Sequence, residues 1–266
     1  MYDTSSDTLL VAAQGPIRTL TINRPAQRNS LLPADWLRLA DMLNEMTADA
    51  SARVVVIRGA GNRAFSSGYD ITALHELGDR GIVLSTPEDP FEVALAAVVE
   101  SRLPVIAMVG GYAVGGGCTL AAGCDVRIVG TSARFGMPPA KLGLVYSATE
   151  LRPFVDLIGP ARTKWMFFSG RLIDAQKALQ IGLVDDVVPD DELEAYTYAL
   201  AEEIAANAPL SVQGTKRIVR EMGGPAAPDD AAARIAAEIQ RVNRSADLAE
   251  GMRAFQEKRK PEFRGA

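Results

Sequence analysis

Apolar residues recur along this chain in two alternating ways, as short continuous runs and as stripes at helical spacing. Ile17 to Asn23, Val54 to Arg58, Val105 to Val109 and Val126 to Val129 are the runs, and they read as strands. The last three are nearly continuous in apolar character, which suits strands covered on both faces, as in parallel sheets. Between the first two, Pro33 to Met46 predicts a helix whose Leu39, Met42, Leu43 and Met46 make one apolar stripe. Alternation of this kind predicts an α/β architecture with right-handed crossovers. After Leu183 to Val188 the strand signals stop. Helices are expected at about Asp190–Asn207, Pro209–Met222, Asp229–Asn243 and Asp247–Lys258, with Gly223-Gly224-Pro225 as punctuation. Ala232, Ile235, Ile239 and Val242 form a stripe in the third of these, and Leu248, Met252 and Phe255 in the fourth. The expected division is an α/β core over residues 1–190 and a helical region over residues 191–266. Such a tail either caps its own core or serves as an oligomerisation arm.

Composition narrows the function. The 266 residues are 48% hydrophobic and 23% charged, the balance of an ordinary folded protein with a sizeable core. A net charge of −5 speaks against a general binder of nucleic-acid backbones. One His (His75) and two Cys (Cys118 and Cys124) leave almost nothing for a zinc site, and only His75 for a Ser-His-Asp or Cys-His mechanism, so no metal is expected. Met1 to Leu10 carries two Asp and no Lys or Arg, unlike the charged start of a secretory signal. Leu103 to Cys124 is uncharged over 22 residues, yet Pro104 and six glycines fit a strand, a turn and a helix start better than a membrane span. A soluble cytoplasmic protein without membrane or nucleic-acid partners is the expectation.

Two segments join a strand to a helix through small residues. One is Ala64-Phe65-Ser66-Ser67-Gly68-Tyr69-Asp70-Ile71; the other runs from Gly110 through Gly115-Gly116-Gly117 to Leu120. Glycines let the backbone approach a ligand, and a helix starting at such a turn presents free N–H groups. Two such turns over one sheet edge would supply two converging donors, an oxyanion hole. The plain alternative is a pair of tight connections with Asp70 as an N-cap. Neither turn has the residues of a phosphate loop or a dinucleotide fingerprint.

These residues resemble the enoyl-CoA hydratase/isomerase (crotonase) superfamily over about residues 10 to 264. Asn23-Arg24-Pro25 with Arg28-Asn29-Ser30-Leu31 resembles its first CoA-side loop, and Phe65 to Ile71 its first oxyanion segment. Gly115 to Ala121 with Cys124-Asp125 resembles the second, and Ala254 to Pro261 the terminal helix. The resemblance implies a spiral of ββα units with a C-terminal helical trimerisation region, and so a homotrimer or a dimer of trimers. It implies an acyl-CoA thioester as substrate, CoA being part of it, with no separate cofactor. By position the oxyanion donors are the N–H groups of Tyr69 and Gly116, and Arg28, Phe255 and Lys258 match CoA-contacting positions.

Hydratases of that family use two glutamates, and here the matching positions hold Thr119 and Pro139. Threonine is no general base near neutrality, and proline carries no acid. Hydration of crotonyl-CoA is therefore expected to be negligible. Phe135 to Tyr146 most resembles the methylmalonyl-CoA decarboxylase subgroup, in which a tyrosine matching Tyr146 binds the substrate carboxylate. That subgroup has His where this chain has Tyr69, and keeps a Glu at the Thr119 position. The leading expectation is decarboxylation of a methylmalonyl-type thioester through an enolate. The alternatives are an enoyl-CoA hydratase/isomerase with a relocated acid/base group, for which Glu150 and His75 are candidates, and a non-catalytic acyl-CoA binder. Cys118 reads as a small buried hydrophobe.

Overall fold

The computed structural model describes residues 7–70, 72, 84–223 and 228–266. Its centre is a six-stranded sheet in the order β1-β2-β3-β5-β7-β10. The strands are β1 (Leu9–Gln14), β2 (Ile17–Ile22), β3 (Val54–Gly59), β5 (Val105–Val109), β7 (Val126–Gly130) and β10 (Asp186–Val188). β1 and β2 form an antiparallel hairpin, and from β2 onward every pairing is parallel. The apolar runs read from the sequence are these strands: β3 and β5 are buried almost throughout, as the absence of polar alternation requires.

A second sheet, in the order β4-β6-β8-β9, is made of three-residue strands: β4 (Ala64–Ser66), β6 (Tyr112–Val114), β8 (Arg134–Gly136) and β9 (Leu172–Asp174). No periodicity survives in three residues, and the pattern along the chain misses all four. Each of β3, β5 and β7 is followed by its short partner and then by a helix, respectively α2 (Pro90–Glu100), α3 (Gly116–Gly123) and α4 (Ala148–Ser169). This is the expected succession of ββα units. α4 is broken at Gly159-Pro160, where φ of Gly159 is 73° and proline removes a helical donor.

α1 (Pro33–Ala48) packs its Trp36, Leu39, Met42, Leu43 and Met46 into the main core, together with Phe65, Phe91 and Phe135. The opposite sheet face is covered by α6 (Leu193–Ala206), whose Leu193, Ala201 and Ala205 meet Ile17, Val54, Val56, Ile106 and Ile128. α5 (Ala175–Ile181) precedes β10, and α7 (Pro209–Gly223), α8 (Pro228–Asn243) and α9 (Ala246–Glu257) complete the chain. In the single chain the α9 stripe is not covered, Leu248, Met252 and Phe255 all being exposed, while in the α8 stripe Ile239 is exposed and Ile235 and Val242 are half-buried. Among the described residues no helix is long and apolar enough to cross a membrane.

Candidate active site

The short strands carry the site. β4 runs into Ser67-Gly68-Tyr69, and buried Asn29 braces this turn from behind. Its amide donates to the carbonyls of Ala60 (3.1 Å) and Ala64 (2.7 Å), and its oxygen accepts from Arg24 N (2.9 Å). Ser66 Oγ donates to Asn29 O at 2.8 Å, and Ser67 N to Arg28 O at 3.1 Å. Leu31 then pairs with Tyr69 as an isolated parallel bridge: Leu31 N donates to Gly68 O and Asp70 N donates to Leu31 O, both at 2.9 Å. In that register the flanking residues use their groups toward Leu31, so the N–H of Tyr69 itself points the other way.

The second turn arrives from β6. Gly115, at φ 56°, is the N-cap of α3, and its N–H is held by Gly136 O at 2.9 Å. The two turns touch: a Cβ placed on Gly68 would lie 2.7 Å from Gly116 N, and one on Gly117 would lie 2.1 Å from Ser66 O. Among the described residues neither the Tyr69 nor the Gly116 N–H has an acceptor. Gly116 N–H is free because it belongs to the first turn of a helix. The structure therefore brings the turn that carries Tyr69 against Gly116 at the start of α3, the two residues whose N–H groups the resemblance implied as donors. A thioester oxygen seated between them would meet an oxyanion hole.

Thr119 is fully buried and donates its hydroxyl back to Gly115 O at 3.3 Å, while buried Pro139 opens the one-turn 3₁₀ helix Pro139–Lys141. Neither position offers an acid. Carboxyl groups reach the region from elsewhere, since Asp89, Glu92 and Glu150 are all buried. Asp89 caps α2 and accepts from the Tyr69 hydroxyl. Ser147 and Glu150 form a reciprocal capping box on α4, with Ser147 N to Glu150 Oε2 at 2.8 Å and Glu150 N to Ser147 Oγ at 3.0 Å. The same Ser147 hydroxyl donates to Glu92.

Burial pushes the Glu150 carboxyl above the ordinary glutamate range, and the Glu92 and Asp89 charges add to the rise against hydrogen bonds from Ser85 and Ser147. Burial likewise raises Tyr69, helped by its bond to Asp89, and Tyr146, helped by the charge of Glu150. Glu150 is thus within electrostatic reach of both tyrosines. Tyr146 is half-buried, edge-on to Phe167 with centroids 5.7 Å apart, and its hydroxyl lies 3.5 Å from where a Gly115 Cβ would sit. Unlike Tyr69, it makes no hydrogen bond to any described residue, so its hydroxyl stands open beside the second turn.

Other expectations fall apart from this centre. Arg28 is exposed on the loop that supports Ser67, which places it beside the first turn. Phe255 is 86% exposed, and Lys258 is exposed as the C-cap of α9. Cys118 is buried in the core, its thiol pushed up to about 12 by that burial, as befits a packing residue. His75 lies outside the described residues. Asp70 Oδ1 accepts from Thr72 N at 3.2 Å, and the carboxylate pairs with Arg24 at 3.1 Å; the segment it is expected to cap lies, apart from Thr72, outside the described residues. Of the acidic cluster, only Glu150 is a candidate from the sequence. The cluster's local signals were present in Asp89-Pro90 and in the spacing of Ser147 and Glu150, both helix-start patterns. The meeting of Glu92 with Ser147 across 55 residues left no sequence signal.

The whole chain is similar to proteins of one kind. A 2,3-dehydroadipyl-CoA hydratase from Escherichia coli is 36% identical over 260 residues, covering 97% of this chain and 98% of that one. A carnitinyl-CoA dehydratase from Salmonella typhi is 32% identical, covering 98% of this chain and 99% of that one. The crystal structure of an enoyl-CoA hydratase/carnithine racemase from Magnetospirillum magneticum matches with a TM-score of 0.88 and 35% identity, over 98% of this chain and 97% of that one. The family model for enoyl-CoA hydratase/isomerase matches residues 12–266. With the ββα spiral and the paired turns, this establishes that the chain belongs to the enoyl-CoA hydratase/isomerase (crotonase) superfamily and is an enzyme acting on acyl-CoA.

Proposed function

We propose that this enzyme moves a proton next to the carbonyl of an enoyl-CoA thioester, with Glu150 as a relocated acid/base group. The observation that carries the reading is Glu150 itself, a buried carboxyl with a raised pKa at the start of α4, within electrostatic reach of Tyr69 and Tyr146. Such tuning brings a carboxyl closer to the working pH of an acid/base catalyst. In hydration, Glu150 takes a proton from water while the oxygen bonds to the β-carbon. The double-bond electrons move into the thioester as an enolate, held by the N–H groups of Tyr69 and Gly116. The proton then returns to the α-carbon, and the carboxylate is restored. The names of the similar proteins, hydratases and a dehydratase, support this class.

Decarboxylation of a methylmalonyl-type thioester is the second reading, favoured by the open Tyr146 hydroxyl beside Gly115. The same charge that raises Tyr146 stands against it, because a substrate carboxylate there would meet the field of Glu150 and Asp89. Incubation with crotonyl-CoA and methylmalonyl-CoA separates the two: loss of the enoyl absorbance supports the first reading, and release of CO2 supports the second. Turnover of neither would count against both readings for these two acyl groups. Tyr146→Phe should lower CO2 release by about 10-fold or more if its hydroxyl holds a carboxylate. It should change crotonyl-CoA turnover far less.

The reading extends to assembly and setting. We expect a cytoplasmic enzyme that forms a trimer or a dimer of trimers, because Leu248, Met252 and Phe255 leave an apolar stripe of α9 uncovered in one chain. Arg28, Phe255 and Lys258 are proposed to bind the CoA portion. Sedimentation at micromolar concentration should give a species of at least three chains, and a well-behaved monomer would contradict the assembly.

A further inference from the structure

We infer that Asp89 is a positioning residue for the oxyanion hole, acting through the ring of Tyr69. This rests on the reading of Tyr69 and Gly116 as oxyanion donors and adds the device that holds them in place. Asp89 is 1% exposed and its carboxylate accepts three hydrogen bonds: from the Tyr69 hydroxyl, from Ser85 N at 2.8 Å and from Phe91 N at 3.0 Å. Phe91 N also reaches the Tyr69 hydroxyl at 3.0 Å, so carboxylate, phenol and helix N-terminus close a small ring of bonds.

Both donors lean on that ring. Tyr69 is fastened at its backbone by the bridge to Leu31 and at its far end by Asp89. Its ring is further confined by edge contacts with Trp36 at 5.9 Å and Phe91 at 6.2 Å between centroids. Phe91, whose N–H Asp89 caps, lies 3.4 Å from where a Gly116 Cβ would sit. One buried carboxylate therefore ties the residue that owns the first donor to the side chain that walls the second. Donors of this kind act through placement to within about half an ångström, and a supporting shell decides whether they hold it. An ordinary helix N-cap would need only the bond from Phe91 N, and the phenol would then be superfluous.

The test uses the full chain with carbonyl-labelled acetyl-CoA as probe, reading the vibrational frequency of the bound thioester carbonyl by infrared difference. Wild type should lower that frequency. Tyr69→Phe keeps the ring and the helix cap but removes the phenol. It should lessen the lowering and cut kcat by about 10-fold, short of the 10²–10³ typical of a donor lost outright, with KM little changed. Asp89→Asn should do at least as much, and the double variant should be no worse than Asp89→Asn alone, because both act through one link. A Tyr69→Phe protein with the full wild-type lowering and full kcat overturns the inference while the oxyanion hole stands. Failure of wild type to bind the probe or lower its frequency overturns the hole and the inference together. Should Asp89→Asn fail to fold, Tyr69→Phe decides alone.

Discussion

Gly68→Ala should lower turnover of the enzyme's own substrate by 10²–10³ or more, with a measurable loss of stability. Gly68 has φ 83°, a conformation an alanine adopts at a cost of about 1–2 kcal/mol. Its new methyl group would stand 2.7 Å from Gly116 N, a backbone atom that cannot rotate out of the way. Overpacking adds about 1–3 kcal/mol, and the strain falls between the two donors that must converge. Losing one such donor is what sets the scale of the activity loss. Gly15→Ala is the matched control. Gly15 also has positive φ, at 55°, but a methyl group there meets nothing within 4 Å, and it lies in the turn between β1 and β2. That variant should lose stability alone. Thermal unfolding and kcat/KM on the two proteins check the contrast, and equal activity losses would count against the hole.

Glu150→Gln should reduce hydration or isomerisation of an enoyl-CoA by about 10²–10⁴, the usual contribution of a positioned acid/base group. Glutamine retains an oxygen for Ser147 N, so the start of α4 should persist and the loss should appear mainly in kcat. The pH dependence gives a second reading of the same residue. Its folded pKa is raised, so the native state holds a proton that the unfolded state has released. Stability contributed by this group is therefore present at low pH and declines as pH rises from the ordinary glutamate value through the raised one. Activity that needs the ionised carboxylate should rise over the same interval. Glu150→Gln should flatten both trends. A variant with the wild-type rate and the wild-type pH profile would remove Glu150 from the chemistry and shift weight to the decarboxylation reading.

Much of this protein is legible in its sequence wherever the signal is local and repeated. The runs Val54 to Arg58 and Val105 to Val109 became β3 and β5 nearly residue for residue, because a strand buried on both faces needs unbroken apolar character. The stripe of Leu39, Met42, Leu43 and Met46 became the core face of α1 for the equivalent helical reason. The two glycine turns were visible because only glycine tolerates positive φ together with backbone packed against backbone, as at Gly68. The absence of acids at Thr119 and Pro139 was also plain, and the structure adds that the Thr119 hydroxyl is occupied by Gly115 O.

The sequence by itself thus determined the architecture, the family, the pair of turns and the missing glutamates. Only the tertiary structure decided which carboxyl groups come near the two turns. β4, β6, β8 and β9 are too short for periodicity and form a sheet by pairing with one another, β4, β6 and β8 each following a longer strand in the chain. The acidic cluster follows the same rule. Asp89 and Glu150 look in sequence like ordinary helix starts, and Glu92 like one more charge near the start of a helix. Folding lays α2 against α4, buries all three carboxyls, and aims them at Tyr69 and Ser147. Their chemistry comes from burial and from partners 20 and 55 residues away, and neither is encoded by any one segment of the chain.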